Sequence, residues 1–148
     1  METQLIEKSI EINASKEKVW NVLVLDQYNL QWYHAFSEGT HAETDWKVGS
    51  KTVFTDHSND GMIGRVIENK PGESLVIEYE GVIMKGVEDY DSDVAQKVKG
   101  GRESYILTHS NGTTSLYISC DMDPEYFDMM SGQWDIALEK IKELSENQ

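Results

Sequence analysis

The stretch 123–145, DPEYFDMMSGQWDIALEKIKELS, decides the fold. Phe127, Met130, Trp134, Ala137, Ile141 and Leu144 recur three and four residues apart, which puts them on one face of an α-helix. Asp123 is the expected N-cap, and Pro124 suits the first helical position, where a missing N–H costs nothing. Glu125 and Asp128 lie near the positive end of the helix dipole, Lys140 and Lys142 toward its negative end. Met129, Met130 and Leu138 widen the apolar face beyond a narrow seam. A helix of about twenty residues with so wide a face needs a large apolar surface beneath it. Most of the preceding chain reads as β-strand, so the expected partner is a curved sheet.

Working back from that helix, turn signals fall at Val48-Gly49, Ser58-Asn59-Asp60-Gly61, Pro71-Gly72 and Asn111-Gly112. Strands are expected between them, over 39–45, 51–57, 62–69, 74–84, 102–109 and 114–121, joined as antiparallel hairpins. Leu75, Ile77 and Tyr79 alternate with Glu78 and Glu80. Leu116, Ile118 and Cys120 alternate with Ser115, Tyr117 and Ser119. A first strand spans 4–12, with Ile6, Ile10 and Ile12 on its buried side. Ser15 opens a helix whose apolar face is Val19, Trp20, Leu23 and Val24. The aromatic stretch 26–36, with Leu30, Trp32, Tyr33 and Phe36, predicts a second short helix or helical turn. Residues 85–101 are polar, charged and glycine-flanked; a long mobile loop is expected there, with room for a helical turn over 93–98. The order predicts an α+β fold: a curved antiparallel sheet of about seven strands wrapping a long C-terminal helix, with one or two short helices after the first strand.

The 148 residues suit one domain, expected to span 1–148. The charge is −14, from 27 acidic and 13 basic residues. Phosphate contacts need clustered Lys and Arg, so this balance speaks against nucleic acid and against anionic membrane surfaces. It suits a soluble surface, or an acidic face for a basic partner. No segment reaches the roughly twenty apolar residues of a membrane helix. The start, METQLIEKSIEIN, lacks the basic-then-apolar pattern of a secretory signal. Cys120 is the only cysteine, which excludes an internal disulfide and fits a reducing compartment. A cytoplasmic protein without membrane insertion is the expectation.

Several local patterns carry a resemblance. Ile10-Glu11-Ile12-Asn13-Ala14-Ser15 leads into Lys18-Val19-Trp20-Asn21-Val22-Leu23. Trp46 precedes Val48-Gly49-Ser50. Gly64-Arg65-Val66-Ile67-Glu68 is followed by Pro71 and Leu75-Val76-Ile77. Gly112-Thr113-Thr114 precedes the last strand, and Gly132-Gln133-Trp134 lies in the final helix. In this order and spacing they resemble the helix-grip superfamily, also called START-like, SRPBCC or Bet v 1-like. Within it the chain is most similar to the domain named for activators of the heat-shock-protein-90 ATPase. Ser50 stands where many members carry a second Gly, and 85–101 matches no family motif. The resemblance implies a cavity between sheet and long helix.

Large aromatic and flexible side chains are candidates to line such a cavity: Trp32, Tyr33, Phe36, Phe54, Met62, Tyr79, Tyr105, Phe127, Met130 and Trp134. The competing reading is that the same residues simply fill a core. Tyr79, Tyr105 or His34 are candidates for polar tips. No catalytic or metal constellation stands out. His34, His41, His57 and His109 are scattered, and Asp56 and His57 alternate along a strand. Cys120, in phase with Leu116 and Ile118, reads as a buried, inert thiol. Asp89, Asp91 and Asp93 open like a calcium loop, but Val94 and Gly100 stand where Gly and Glu are required. The 61–64 glycines are followed by no helix, so they form no phosphate loop. No cofactor is expected. Two functional readings remain. One is a non-catalytic protein holding a lipid-like or aromatic molecule between sheet and helix. The other is an interaction module that stimulates a chaperone ATPase by contact.

Overall fold

The computed structural model describes residues 3–148. The chain runs β1 (Gln4–Ile12), α1 (Lys16–Val24), α2 (Asp26–Tyr33), β2 (His41–Glu43), β3 (Lys51–Thr55), β4 (Gly61–Lys70), β5 (Ser74–Met84), β6 (Val87–Asp89), α3 (Asp93–Val98), β7 (Arg102–Ser110), β8 (Thr113–Met122), a 3-10 turn (Pro124–Tyr126) and α4 (Phe127–Glu146). All strand pairs are antiparallel, in the spatial order β1-β8-β7-β5-β4-β3-β2, with β6 added to β5. The sheet therefore has eight strands among the described residues rather than about seven.

Period-two patterning fixes which face is inside. Leu116, Ile118 and Cys120 of β8 are buried, as are Tyr105 and Leu107 of β7 and Ile6 and Ile12 of β1. Register aligns them: Ile6 opposes Cys120, Tyr105 opposes Ile118 and Leu107 opposes Leu116. Bulges between Ile63 and Gly64 and between Val66 and Glu68 shift the β4–β5 register and curve the sheet. Gly64 sits where β5 comes very near; a Cβ there would meet the Ile77 Cγ2 at 2.7 Å and the Glu78 carbonyl oxygen at 3.0 Å.

Ser15 caps α1 by accepting from the Lys18 N–H, and α1 buries Val19, Trp20, Val22 and Leu23. The Trp32 indole N–H donates to the Val22 carbonyl at 2.8 Å, which ties α2 to α1. Leu30 faces solvent instead of joining the aromatic cluster.

Four expectations need correcting. Residues 85–101 are not a long mobile loop: β6 and α3 order them, and α3 occupies the 93–98 turn expected there. Asp89 accepts from the Asp91 and Ser92 N–H groups, Ser92 caps α3, and Ala95 is fully buried. Asp123 caps the 3-10 turn through the Glu125 N–H, and α4 itself starts at Phe127 without a side-chain cap. The 51–57 strand stops at Thr55, because Asp56 accepts from the Ser58 and Asp60 N–H groups and turns the chain. The 39–45 strand shrinks to His41–Glu43.

Candidate functional site

Two neighbouring cavities lie between the sheet and the start of α4. The inner one, about 110 Å³, is walled by Trp32, Tyr33 and Phe36 from the α2 region and by Phe54 and Met62 from β3 and β4. Tyr79, Glu103 and Tyr105 come from β5 and β7, Trp134 from α4, and Thr40 from the loop before β2. The outer one, about 350 Å³, lies among β5, α3, the end of β8 and the first turns of α4. Val82, Val98, Cys120, Met122, Met129 and Met130 make its apolar walls, and Lys97 and Asp123 stand at its rim. Met62 and Tyr79 line both cavities. The gap opens where β5 changes partner along the edge opposite β4. Ser74–Glu78 pairs with β7 and Val82–Met84 with β6. Between them Tyr79 exchanges hydrogen bonds with Gly100 and Gly101.

Eight of the ten cavity candidates thus surround the inner space: Trp32, Tyr33, Phe36, Phe54, Met62, Tyr79, Tyr105 and Trp134. Met130 lines the outer one. Phe127 lines neither; it packs half-buried against the core. Of the three polar candidates, His34 is exposed. Tyr79 and Tyr105 converge on a residue the sequence reading passed over, Glu103. The Tyr79 hydroxyl donates to Glu103 Oε1 at 2.7 Å and the Tyr105 hydroxyl to Oε2 at 2.6 Å. A signal for Glu103 does exist: it is in phase with Tyr105 and Leu107 on β7, an acid where the pattern calls for an apolar residue.

The electrostatics follow from burial. Glu103 keeps some accessible surface and lines the inner cavity. Burial raises its pKa above the ordinary carboxylate range, and the two tyrosine hydrogen bonds pull it partly back. Tyr33, Tyr79 and Tyr105 are pushed well above the usual phenol range, first by burial and then by the charge of Glu103. Burial likewise raises the Cys120 thiol, with Glu103 and then Asp121 adding to it. A thiol held protonated is a poor nucleophile. The Trp134 indole nitrogen is buried and finds no acceptor among the described residues.

The aromatic walls are in edge and tilted contact. Phe36 and Trp134 centroids are 4.9 Å apart, Tyr33 and Phe54 5.9 Å, Tyr105 and Trp134 6.0 Å, and Trp32 and Trp134 6.2 Å. Such packing holds the walls in place. Among the described residues no group of three or more His, Cys, Asp and Glu is placed to hold a metal ion. Nor is any helix there long and apolar enough to cross a membrane.

A curved antiparallel sheet gripping a C-terminal helix, with short helices after the first strand, defines the Bet v 1-like helix-grip fold. Residues 13–146 match the family model described as activator of Hsp90 ATPase homolog 1-like protein, and the chain belongs to that family. Solved structures share the fold. The Aha1 dimer from Colwellia psychrerythraea is 17% identical with a TM-score of 0.74, covering 97% of this chain and 96% of that one. A protein from Mesorhizobium loti is 14% identical with a TM-score of 0.76, covering 98% of both chains. A protein from Cytophaga hutchinsonii is 20% identical with a TM-score of 0.71, covering 99% of this chain and 97% of that one. No curated protein matches the sequence.

Proposed function

We propose that the protein is a non-catalytic, cytoplasmic binding protein for a hydrophobic small molecule held between the sheet and the first half of α4. The observation that carries this reading is the pair of cavities sharing Met62 and Tyr79 as walls, apolar in the outer part and ending inward on Glu103. The outer volume, about 350 Å³, falls within the size range of small-molecule sites; the inner one alone is too small. Affinity would come from apolar burial, at about 25 cal/mol per Å², with Glu103 and its two tyrosines fixing orientation. Met62, Met129 and Met130 are suited to reshaping around a guest, because the thioether chain has three soft torsions. Two phenols hold the acid and the Cys120 thiol is raised, which supports binding over turnover.

The test is native mass spectrometry of the purified protein, with thermal shifts against long-chain alcohols, acids and polycyclic aromatics. One bound molecule per chain and a concentration-dependent rise in Tm are expected; about 100-fold excess over Kd adds about 2.7 kcal/mol. A panel without any stabilising member would sink the reading. The family's description supports a second reading, an interaction module acting on a chaperone ATPase. A change in Hsp90 ATPase rate on adding micromolar protein would favour it, and an unchanged rate would count against it.

A further inference from the structure

We infer that the inner cavity receives the cationic nitrogen of an amphiphilic amine, with the Glu103 carboxylate as its anion and the aromatic walls as its cage. This rests on the reading of the two cavities as one ligand site, and names the class of ligand.

The first argument is the state of Glu103. Each of its oxygens accepts one tyrosine hydrogen bond and keeps a further lone pair. The ion pairs among the described residues use other carboxylates, such as Asp135, Glu80 and Glu78, and none reaches Glu103. A carboxylate buried against neutral donors alone is costly, and a well-packed apolar residue would be the more stable choice. The position makes sense if the opposite charge is delivered from outside.

The second argument is the surroundings. The faces and edges of Trp32, Tyr33, Phe36, Tyr105 and Trp134 close around the same space. Aromatic rings within about 6 Å of a cation attract it, most strongly where water is excluded. The third is size and polarity. About 110 Å³ takes a headgroup but not a whole ligand, and the outer 350 Å³ lined by Val82, Val98 and the methionines takes the apolar remainder. A carboxylate-headed lipid would instead meet a like charge. The chain's net −14 also favours the approach of cations to the protein.

The experiment compares decylamine, decanol and decanoate by isothermal titration, in wild type and Glu103→Gln. About 0.5 M NaCl is used, so that exposed charge is screened while a buried pair persists. Decylamine should bind wild type about tenfold or more tighter than decanol, with decanoate weakest. Glu103→Gln should bring amine and alcohol within about threefold of each other while decanol binding persists. That variant changes the net charge of −14 by one, so surface attraction cannot account for the loss. Equal affinity for amine and alcohol in wild type overturns the inference, as does a preference that survives in Glu103→Gln. The wild-type ratio is informative whether or not the variant folds. Decanol binding without amine preference removes only the ligand class. Failure of all three probes removes the ligand site as well.

Discussion

From 134 to 145, α4 lies against β1, α1 and the floor of the sheet. Trp134, Ala137, Leu138 and Ile141 are buried, and polar ties flank them. Lys142 donates to the Glu11 carbonyl at 2.7 Å, Glu146 accepts from the Asn13 N–H at 2.8 Å, and Lys8 pairs with Asp135 at 2.7 Å. From 127 to 130 the same helix has no side-chain cap. Met129 is 55% exposed, and Phe127 and Met130 are only half-buried. Both halves carry the same period of apolar residues. What differs is the opposing surface: closely packed strands at one end, and the β5 edge with its divided partners at the other. An amphipathic face is thus a core element or a cavity wall according to what it meets.

Trp134 stands at the junction, and truncating it should give the largest effect. Trp134→Ala should lower stability by an amount toward the lower end of the roughly 3–5 kcal/mol range. Releasing a buried, unpaired indole N–H offsets part of the lost packing. Urea denaturation checks this, and a loss at the top of the range would mean that Trp134 is simply core. Ile141→Ala, at the closed end, should cost somewhat less, about 2–3 kcal/mol, and leave ligand affinity unchanged. Altered affinity in that variant would break the division between the two halves.

Glu103→Gln should act in the opposite direction. A carboxyl whose folded pKa exceeds its unfolded value binds more protons folded than unfolded in the window between the two. Its contribution is therefore present at low pH and is lost as pH rises through that window. The groups around it are Tyr79 on β5, Tyr105 on β7, Tyr33 on α2 and Cys120 on β8, all with raised pKa values and neutral in that range. Asp56, Asp89 and Glu146 are held below their ordinary range by hydrogen bonds and lose their contribution as pH falls, so only the difference between variant and wild type isolates Glu103. At neutral pH Glu103→Gln should be more stable than wild type by about 1 kcal/mol. The advantage should vanish on acidification below the ordinary carboxylate pKa. An advantage that grows on acidification would contradict the burial argument. The smallest effect belongs to Met129→Ala, within about 0.5 kcal/mol in stability, with weakened binding of an apolar ligand.

Much of this was legible in the sequence. The 3.6-residue period of the last helix, the period-two runs 74–79 and 115–120, and the turn residues between them specify sheet, helix and order. The aromatic residues around the inner cavity stood out by type, but that α2, the sheet and α4 bring them to one space is a property of the fold. Three things were hidden. Residues 85–101 looked like a loop apart from the 93–98 turn, because β6 is three residues long and α3 six, too short for a period to emerge. Their order comes from Asp89, Ser92 and Ala95 acting locally. Glu103 was hidden because an acid in a strand reads as solvent-facing unless its phase with Tyr105 and Leu107 is followed. The outer cavity was hidden because it is made by the exchange of β7 for β6 along β5, a property of pairing that no single stretch encodes.

The most direct test follows the methionine methyl groups by NMR while decanol is titrated into the protein. Met62, Met122, Met129 and Met130 line the cavities, and Met84 lies exposed outside them, which makes it an internal control. Saturable shifts of the first four, at one molecule per chain and with Met84 unmoved, are the predicted result. Four unmoved methyl groups, or shifts of Met84 equal to theirs, would contradict a ligand site between the sheet and the first half of α4.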